Sequence, residues 1–467
     1  MDTKRTLQIV LPIIIGAIIA MITPPEGLEK AAMIFMGIFV CAIFWLVFRV
    51  IDEHVVVIIA MTLFVVFNIT DFSAAFAPFA GASVWLVIAA FGISAVVGKT
   101  GLLKRISFKI LSLFPENYKG QIAALFASGL VISPLIPSLT AKAVILAPFS
   151  ATASSSLGYK KGSNGSRGMF AAMWISSGIF GCAFLSGAIP VVTMLGFMPP
   201  ETAAEFTWVK WFASSWLWLL VLGILSFIAI MIVCNPEKDE VAVHIEKGFA
   251  KKSLDALGTI TRDEKIAGFL LAAALLGWMT SQFHGIDSTS WALIILFLMA
   301  VFGLFDAKDF KNLAWGTVFF VGGIFSLAAL ISKLSIHTWL GGIITPILGP
   351  LAVNPYLLIP IICIAVYIVR AVVISQTAVT ALFYAALVGV TQAVGIHPFV
   401  LLFVTYMSTL VWHFSFTNVT YVAALGATGG GMVDHNDNQP MNIAFMVINL
   451  IACTASIPLW QIMGFIS

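Results

Sequence analysis

Charge is what this sequence has least of. Of its 467 residues only 10% are Asp, Glu, Lys or Arg, while 60% are hydrophobic; soluble domains carry roughly 25% charged residues. That shortage excludes a water-soluble globular chain, which could not hide so much apolar surface. A net charge of +3 is too small to mark a nucleic-acid partner. Cysteine is scarce and scattered: Cys41, Cys182, Cys234, Cys363 and Cys453 lie inside or beside apolar runs. No metal-ligand spacing exists among them, so buried reduced thiols are expected and neither a metal nor another cofactor is. There is no Gly-x-Ser-x-Gly, no His-Glu-x-x-His and no paired-Asp arrangement, and the apolar runs hold very few acids. Those absences argue against an intramembrane enzyme.

What the chain has in abundance is apolar length. A bilayer crossing needs about 20 such residues. Candidate spans are Ile9–Ile22, Ala31–Phe48, Val55–Asn68, Ser83–Val97, Met169–Met198, Trp211–Cys234, Lys265–Phe283, Trp291–Phe305, Trp315–Ile331, Phe399–Leu425 and Met441–Phe465, eleven in all. The first follows Lys4 and Arg5 and ends at Pro24-Pro25-Glu26-Gly27, a poor signal-peptidase site, so it reads as a retained span. Two further apolar segments, 121–155 and 353–394, have polar centres. Each is long enough for two spans or for a hairpin that enters and leaves on one side.

Basic residues choose between those readings, because cytoplasmic loops collect Lys and Arg. With hairpins and a cytoplasmic N-terminus, nineteen of the 24 Lys and Arg fall on the cytoplasmic side, three outside, and Lys142 and Arg370 within the hairpins. Segment 121–155 is flanked by Lys119 and by Lys160 and Lys161, so both its ends belong in the cytoplasm. Segment 353–394 has no flanking charge and opens outward, which leaves the C-terminus outside. The polar stretch Asn235–Asp263 is a cytoplasmic linker, solvated and amphipathic. The halves on either side of it read alike. Trp85 and Gly101 precede the first hairpin as Trp315 and Leu340-Gly-Gly precede the second. The expected fold is an all-α polytopic membrane protein with an inverted repeat, eleven transmembrane helices and two re-entrant hairpins. Broken apolar segments at corresponding places in two halves mark a transporter binding site.

The chemistry collects at those breaks. Pro134 and Pro137 interrupt the first hairpin, since proline lacks an amide donor and clashes with the preceding turn. Ser138, Leu139, Thr140 and Lys142 follow. The second has Arg370, then Ser375, Gln376 and Thr377. Amides at the start of a half-helix are unsatisfied and partly positive, and they bind carboxylate or phosphate oxygens. The hydroxyls and the Gln376 amide add orientable donors, although a lone Ser or Thr often bonds back to its own helix. A charge at membrane depth costs at least about 2.5–3.5 kcal/mol. Neither cation has an acid nearby in its hairpin, so an anionic substrate is the expected partner, with snorkelling to an interface as the alternative. Each hairpin is followed by a span with a soft centre. The first contains Ser186 and Gly187 before Pro190; the second runs His413-Phe-Ser415-Phe-Thr417-Asn418-Val-Thr420. His413 is a candidate to bond substrate or to titrate. The group Asp434, His435, Asn436 and Asp437 reads as a solvated turn rather than a metal site.

At these residues the chain resembles the divalent anion/sodium symporter family over nearly its full length. That family's tips read Ser-Asn-Thr; here they read Ser138-Leu139-Thr140 and Ser375-Gln376-Thr377, so the Asn is missing twice. In sodium-coupled members the tips and the following unwound stretch also form sodium sites. Lys142 stands where exchangers similar to the plastid 2-oxoglutarate/malate translocator and to bacterial citrate or tartrate/succinate antiporters carry a basic residue. Phe184-Leu-Ser-Gly-Ala and His413-Phe-Ser also resemble that branch. The resemblance implies sodium-independent obligatory exchange of C4/C5 dicarboxylates across a cell membrane. It further implies an elevator-type homodimer. A transport domain of residues 105–234 and 334–467 would move against scaffold spans 1–104 and 265–333, with 235–264 as linker. A sodium-coupled di-/tricarboxylate or sulfate symporter is the near alternative, and an anion channel the alternative of another class.

Overall fold

The computed structural model describes residues 3–48, 50–237, 248–336, 339, 342–343, 353–414 and 417–467. Leu340, Gly341, Ser415 and Phe416, named above, lie outside the described residues, as do Arg49, Lys238 and Lys247 of the basic-residue count. The described part is helical, and its only β feature is an isolated bridge between Ile396 and Ile466. In chain order the principal helices are α1 (Thr3–Met21), α2 (Lys30–Phe48), α3 (Glu53–Val66), α4 (Ala82–Lys99), α5 (Leu102–Leu113), α6 (Tyr118–Ile132), α7 (Leu139–Ser156), α8 (Asn164–Gly178) and α9 (Ile189–Phe197). They continue as α10 (Trp208–Val233), α11 (Arg262–Met279), α12 (Ser288–Val301), α13 (Trp315–Lys333), α14 (Pro355–Arg370), α15 (Gln376–Ala393), α16 (Pro398–Ser408), α17 (Val419–Ala427) and α18 (Gln439–Ala455).

Among the described residues, four helical stretches are long and apolar enough to cross a bilayer unaided: Lys30–Phe48, Ala82–Lys99, Trp208–Val233 and Asn436–Ile462. Two segments expected as single spans are each broken in the middle. Met169–Met198 divides into α8, a 3-10 turn at Phe180–Ala183, and α9. Phe399–Leu425 divides into α16 and α17 around residues 409–418. The two hairpin segments are likewise helix–break–helix units, α6/α7 and α14/α15. All four breaks are short, because unpaired backbone at membrane depth must be satisfied by the surrounding protein.

The helices pack in two groups. Helices α1, α2, α3 and α13 lie side by side, as do α4, α11 and α12. The second group holds α6 to α10 and α14 to α18, with α7 against α17 and α9 against α15 and α16. The groups meet chiefly where α9 packs on α13 and α4. Val192 of α9 there joins Val84, Val87, Ile88 and Phe91 of α4 and Val318 and Val321 of α13 in a small apolar cluster separate from the main core.

Loop contacts sort into two ends. At one, Lys161 pairs with Asp434 at 2.7 Å, Arg105 with Glu264 at 2.8 Å, and Lys99 with Asp309. At the other, Lys210 pairs with Glu205 at 2.7 Å and the His397 amide bonds the Phe465 carbonyl at 2.8 Å. Each pair joins loops that the basic-residue count placed on one side. The linker is less solvated than its composition suggests: Phe249 and Ala250 are buried on α5. All five cysteines are buried free thiols. Asp437 caps the Asp434 amide at 2.8 Å in a turn.

Candidate substrate-binding site

Each hairpin tip folds for a local reason. Pro134 and Pro137 stop α6, and Ser138 restarts the chain as the N-cap of α7, its Oγ accepting the Ala141 amide at 3.1 Å. Ser375 does the same for α15, accepting from Ala378 at 3.2 Å. A capping hydroxyl satisfies one of the four amides that open a helix. The others carry the partial positive charge that favours an anion. Asn418 caps α17 by accepting from Tyr421 at 3.1 Å, and its Nδ2 donates to the Leu410 and Val411 carbonyls at 3.2 and 3.4 Å. The α9 end is formed by Pro190 in its first turn, with the Ile189 amide bonded to the Pro137 carbonyl at 2.8 Å.

The two buried cations sit in corresponding places. Lys142, with no exposed surface, donates to the Gly187 carbonyl at 2.6 Å and to the Ser133 carbonyl at 3.4 Å. It therefore bridges its own tip to the α8/α9 break. Its seat is closed by Gly181, where a Cβ would fall on the Lys142 ammonium. Arg370, equally buried, donates through Nε to Thr409 at 3.0 Å and through Nη2 to Thr417 at 2.5 Å. Its Nη1 reaches the Val373 and Ile374 carbonyls at 2.6 and 2.5 Å. It bridges its own tip to the α16/α17 break.

The remaining expected residues divide between exposed chemistry and structural ties. Ser186 donates to the Pro134 carbonyl at 2.7 Å and accepts from Trp208 at 3.0 Å, so its hydroxyl fastens tip to break. Leu139 is buried beside Gly181. Gln376 donates to Thr409 at 3.2 Å, and Tyr406 approaches its Oε1 at 3.5 Å. Thr377 is half-buried next to it. Thr417 donates back to the Phe414 carbonyl at 2.7 Å. His413 is half-buried, its Nδ1 3.2 Å from Asn442 Nδ2. Thr140 and Thr420 share a hydroxyl–hydroxyl bond of 2.9 Å, which joins the first tip to the second broken span. Thr420, Thr409, Ser133 and Tyr406 were not among the expected site residues. Only Thr420 had a sequence signal, since it ends the polar cluster that begins at His413.

Ser138, Thr140, Lys142 and Gly187 gather at the first tip, and Ser375, Gln376, Arg370, Thr417 and Asn418 at the second, with the Thr140–Thr420 bond joining the first tip to the second broken span. Two cationic side chains lie at the two breaks, together with the starts of α7, α9, α15 and α17. Such a site favours a small anion with more than one acidic group.

Known proteins bear the same stamp. The family profile for the sodium:sulfate symporter transmembrane region matches residues 3–466. The chain is 28% identical over 352 residues to the inner membrane protein YbhI of Escherichia coli K12, covering 73% of each chain. It is 24% identical over 400 residues to dicarboxylate transporter 1, chloroplastic, of Spinacia oleracea, covering 83% of this chain and 69% of that one. It is 25% identical over 475 residues to dicarboxylate transporter 2.1, chloroplastic, of Arabidopsis thaliana, covering 98% and 82%. Among solved structures, MtrF of Neisseria gonorrhoeae, described in a study of antimetabolite efflux pumps, superposes with a TM-score of 0.57 at 14% identity, covering 98% of this chain and 94% of the other. This chain therefore belongs to the sodium:sulfate symporter transmembrane family, the divalent anion/sodium symporters.

Proposed function

We propose that this protein is a secondary transporter that exchanges C4/C5 dicarboxylates across a cell membrane without sodium. One observation carries the reading: each break between half-helices is already bridged by a tethered cation, Lys142 on Gly187 and Ser133, and Arg370 on Thr409 and Thr417. Carbonyl clusters of this kind are what a mobile cation needs. Where an ammonium and a guanidinium fill them, bound sodium is redundant. The same charges resist crossing the membrane uncompensated, since a bare charge in hydrocarbon is costly, and obligatory exchange follows. The chloroplast relatives named dicarboxylate transporters support the substrate class.

The movement we infer is of elevator type. The helix–break–helix units and their broken partners would travel as one body against α1–α4 and α11–α13, sliding where α9 meets α13 and α4. The paired tips support an inverted repeat, and the sorting of loop contacts supports a cytoplasmic N-terminus and an outer C-terminus. The exposed apolar helices of the non-moving group would meet a second copy. Uptake into proteoliposomes tests the exchange reading. Vesicles preloaded with succinate should take up labelled malate, fumarate or 2-oxoglutarate in sodium-free buffer, and empty vesicles should not. Uptake that requires a sodium gradient and no internal substrate would establish the symporter instead, and a conductance without exchange stoichiometry would establish a channel.

A further inference from the structure

The first helix group contains a groove to which neither tip contributes a residue. Helices α1, α2 and α3 enclose a cavity of about 460 Å³, and the described side chains that line it carry neither charge nor hydroxyl. Small residues make the space. Gly16 of α1 and Gly37 of α2 cross so closely that a Cβ on either would fall on the other's carbonyl oxygen. Beside that crossing Ala17, Ala42 and Ala60 leave a trough. Ile13, Met21 and Phe67, all exposed, form its rim. The lining runs along α2 from Ile34 to Trp45 and along α3 from Val56 to Phe67. In each helix that is about 16 Å, at a rise of about 1.5 Å per residue. A hydrocarbon core is about 30 Å thick, so the trough has the depth of one leaflet. It begins one helical turn inside Lys30, the first residue of α2. The Phe35 ring stacks on Phe64 with centroids 4.9 Å apart, which fixes α3 against α2 at that end.

Charges of both signs stand at the mouth. Lys30 is exposed and donates back to the Ile22 carbonyl at 3.3 Å, which holds its ammonium over the ends of α1 and α2. Glu26 and Glu29 are exposed in the connection between those helices. The ion pairs found among the described residues use none of the three. We infer that the trough holds an acyl chain of a zwitterionic phospholipid, with its phosphate at Lys30 and its ammonium at the Glu26 and Glu29 carboxylates. Water does not settle in an apolar cavity, and an empty one forfeits dispersion contacts along every wall. The face of α1 at the rim, with Leu7, Leu11, Ile14 and Ile18, is exposed, so the medium that reaches the trough is hydrocarbon. An anionic head would meet two acids and one base, whereas a zwitterion finds a partner for each of its charges. The filled trough braces α3, which packs along α13, the helix that meets α9.

The test is native mass spectrometry of the detergent-purified protein. The wild type should retain one phospholipid per chain, and should prefer phosphatidylethanolamine to phosphatidylglycerol when both are offered in equal amounts. Ala17→Trp sets a large ring in the trough from an exposed position. It should lose that lipid while keeping the Tm of the lipid-free wild type. Lys30→Gln should weaken retention roughly two- to fivefold, because an exposed charge pair contributes little. A second measurement needs no variant. Phosphatidylethanolamine with a diazirine in one acyl chain should, on photolysis, label trough residues of α1, α2 and α3 in the wild type. Label spread evenly over the exposed faces of α10 and α11 would make the lipid an unselective neighbour and overturn the inference. Equal retention by the wild type and Ala17→Trp overturns it as well, as does a preference for phosphatidylglycerol. An Ala17→Trp protein that changes from dimer to monomer with its lipid count unchanged overturns it too, and assigns the trough to a second copy.

Discussion

Lys142→Met separates what the buried ammonium does for the fold from what it does for the substrate. Methionine keeps the length and apolar stem of lysine and removes the charge. For the substrate, Lys142 is four residues past the capping Ser138, so it stands one helical turn, about 5.4 Å, from the tip amides. A carboxylate held at those amides attracts the ammonium by about 3 kcal/mol at an effective dielectric of roughly 20. Losing it should weaken dicarboxylate binding roughly 150-fold, at 1.36 kcal/mol per decade. For the fold, two effects oppose. Leaving the Gly187 and Ser133 carbonyls without a donor costs about 1–3 kcal/mol each. Removing a desolvated charge returns several kcal/mol. The net change in stability should be near zero. The assay is succinate binding to the purified protein by thermal stabilisation, with Tm in the absence of ligand read alongside. An affinity within threefold of the wild type would refute the placement of the anion beside Lys142. A collapse of Tm without ligand would make the ammonium a structural tie.

Arg370→Met should behave oppositely. It strips donors from four carbonyls at once, so stability should fall by about 3–5 kcal/mol, read as a large drop in Tm; an unchanged Tm would show those bonds to be dispensable. Thr140→Val and Thr420→Val should each cost about 0.5–1.5 kcal/mol and show a coupling of similar size in a double-mutant cycle. Strict additivity would mean the first tip and the second broken span are not tied through these hydroxyls. At the membrane surface, the Arg105 guanidinium bonded to Glu264 holds its carboxyl below the usual range, helped by the Thr261 amide. A depressed carboxylate stabilises the fold above its unfolded value, near about 4.3, and that contribution is lost as the pH falls through the lower folded value. Glu264→Gln should therefore narrow the gap in Tm between neutral and acid pH, while leaving the acid Tm nearly unchanged.

The helix breaks within 121–155 and 353–394 were legible in the sequence for a physical reason. Pro134 and Pro137 forbid a continuous helix, and Ser138 and Ser375 are capping residues at the restart, so backbone chemistry is written in side-chain identity. The breaks at 179–188 and 409–418 carry a weaker notice: Gly187 with Pro190, and the polar cluster from His413 to Thr420, mark soft centres but not where the helices end. The stretches Ile179-Phe-Gly-Cys-Ala-Phe-Leu and Leu410-Val-Trp that open them are apolar, and hydropathy reads each segment as one continuous span. Their freed carbonyls are satisfied by groups far away in sequence: Lys142, Trp211, Ser215 and Arg370 reach them from outside. A carbonyl has no sequence signature, so the seats of the two cations could not be read in advance. For the same reason the expectation that an anion is the missing partner of both cations needs narrowing. The bonds of Arg370 already run to four carbonyls, so toward a substrate it would act chiefly as a charge.

The choice of side chain then distinguishes the two halves. Arginine is a planar fork of five donors in fixed geometry, and lysine is a compact charge with three rotatable donors on a flexible stem. The second tip is stitched to its broken span by the fork at Thr409, Thr417, Val373 and Ile374, a set that a small displacement would break together. The first tip is held by one short bond to Gly187 and one long one to Ser133, a set that an ammonium can leave one bond at a time. An arriving carboxylate therefore competes for a donor more easily at Lys142 than at Arg370. On the proposed reading, local rearrangement on substrate binding would belong to the first tip, with the second acting as the fixed wall against which the anion is measured.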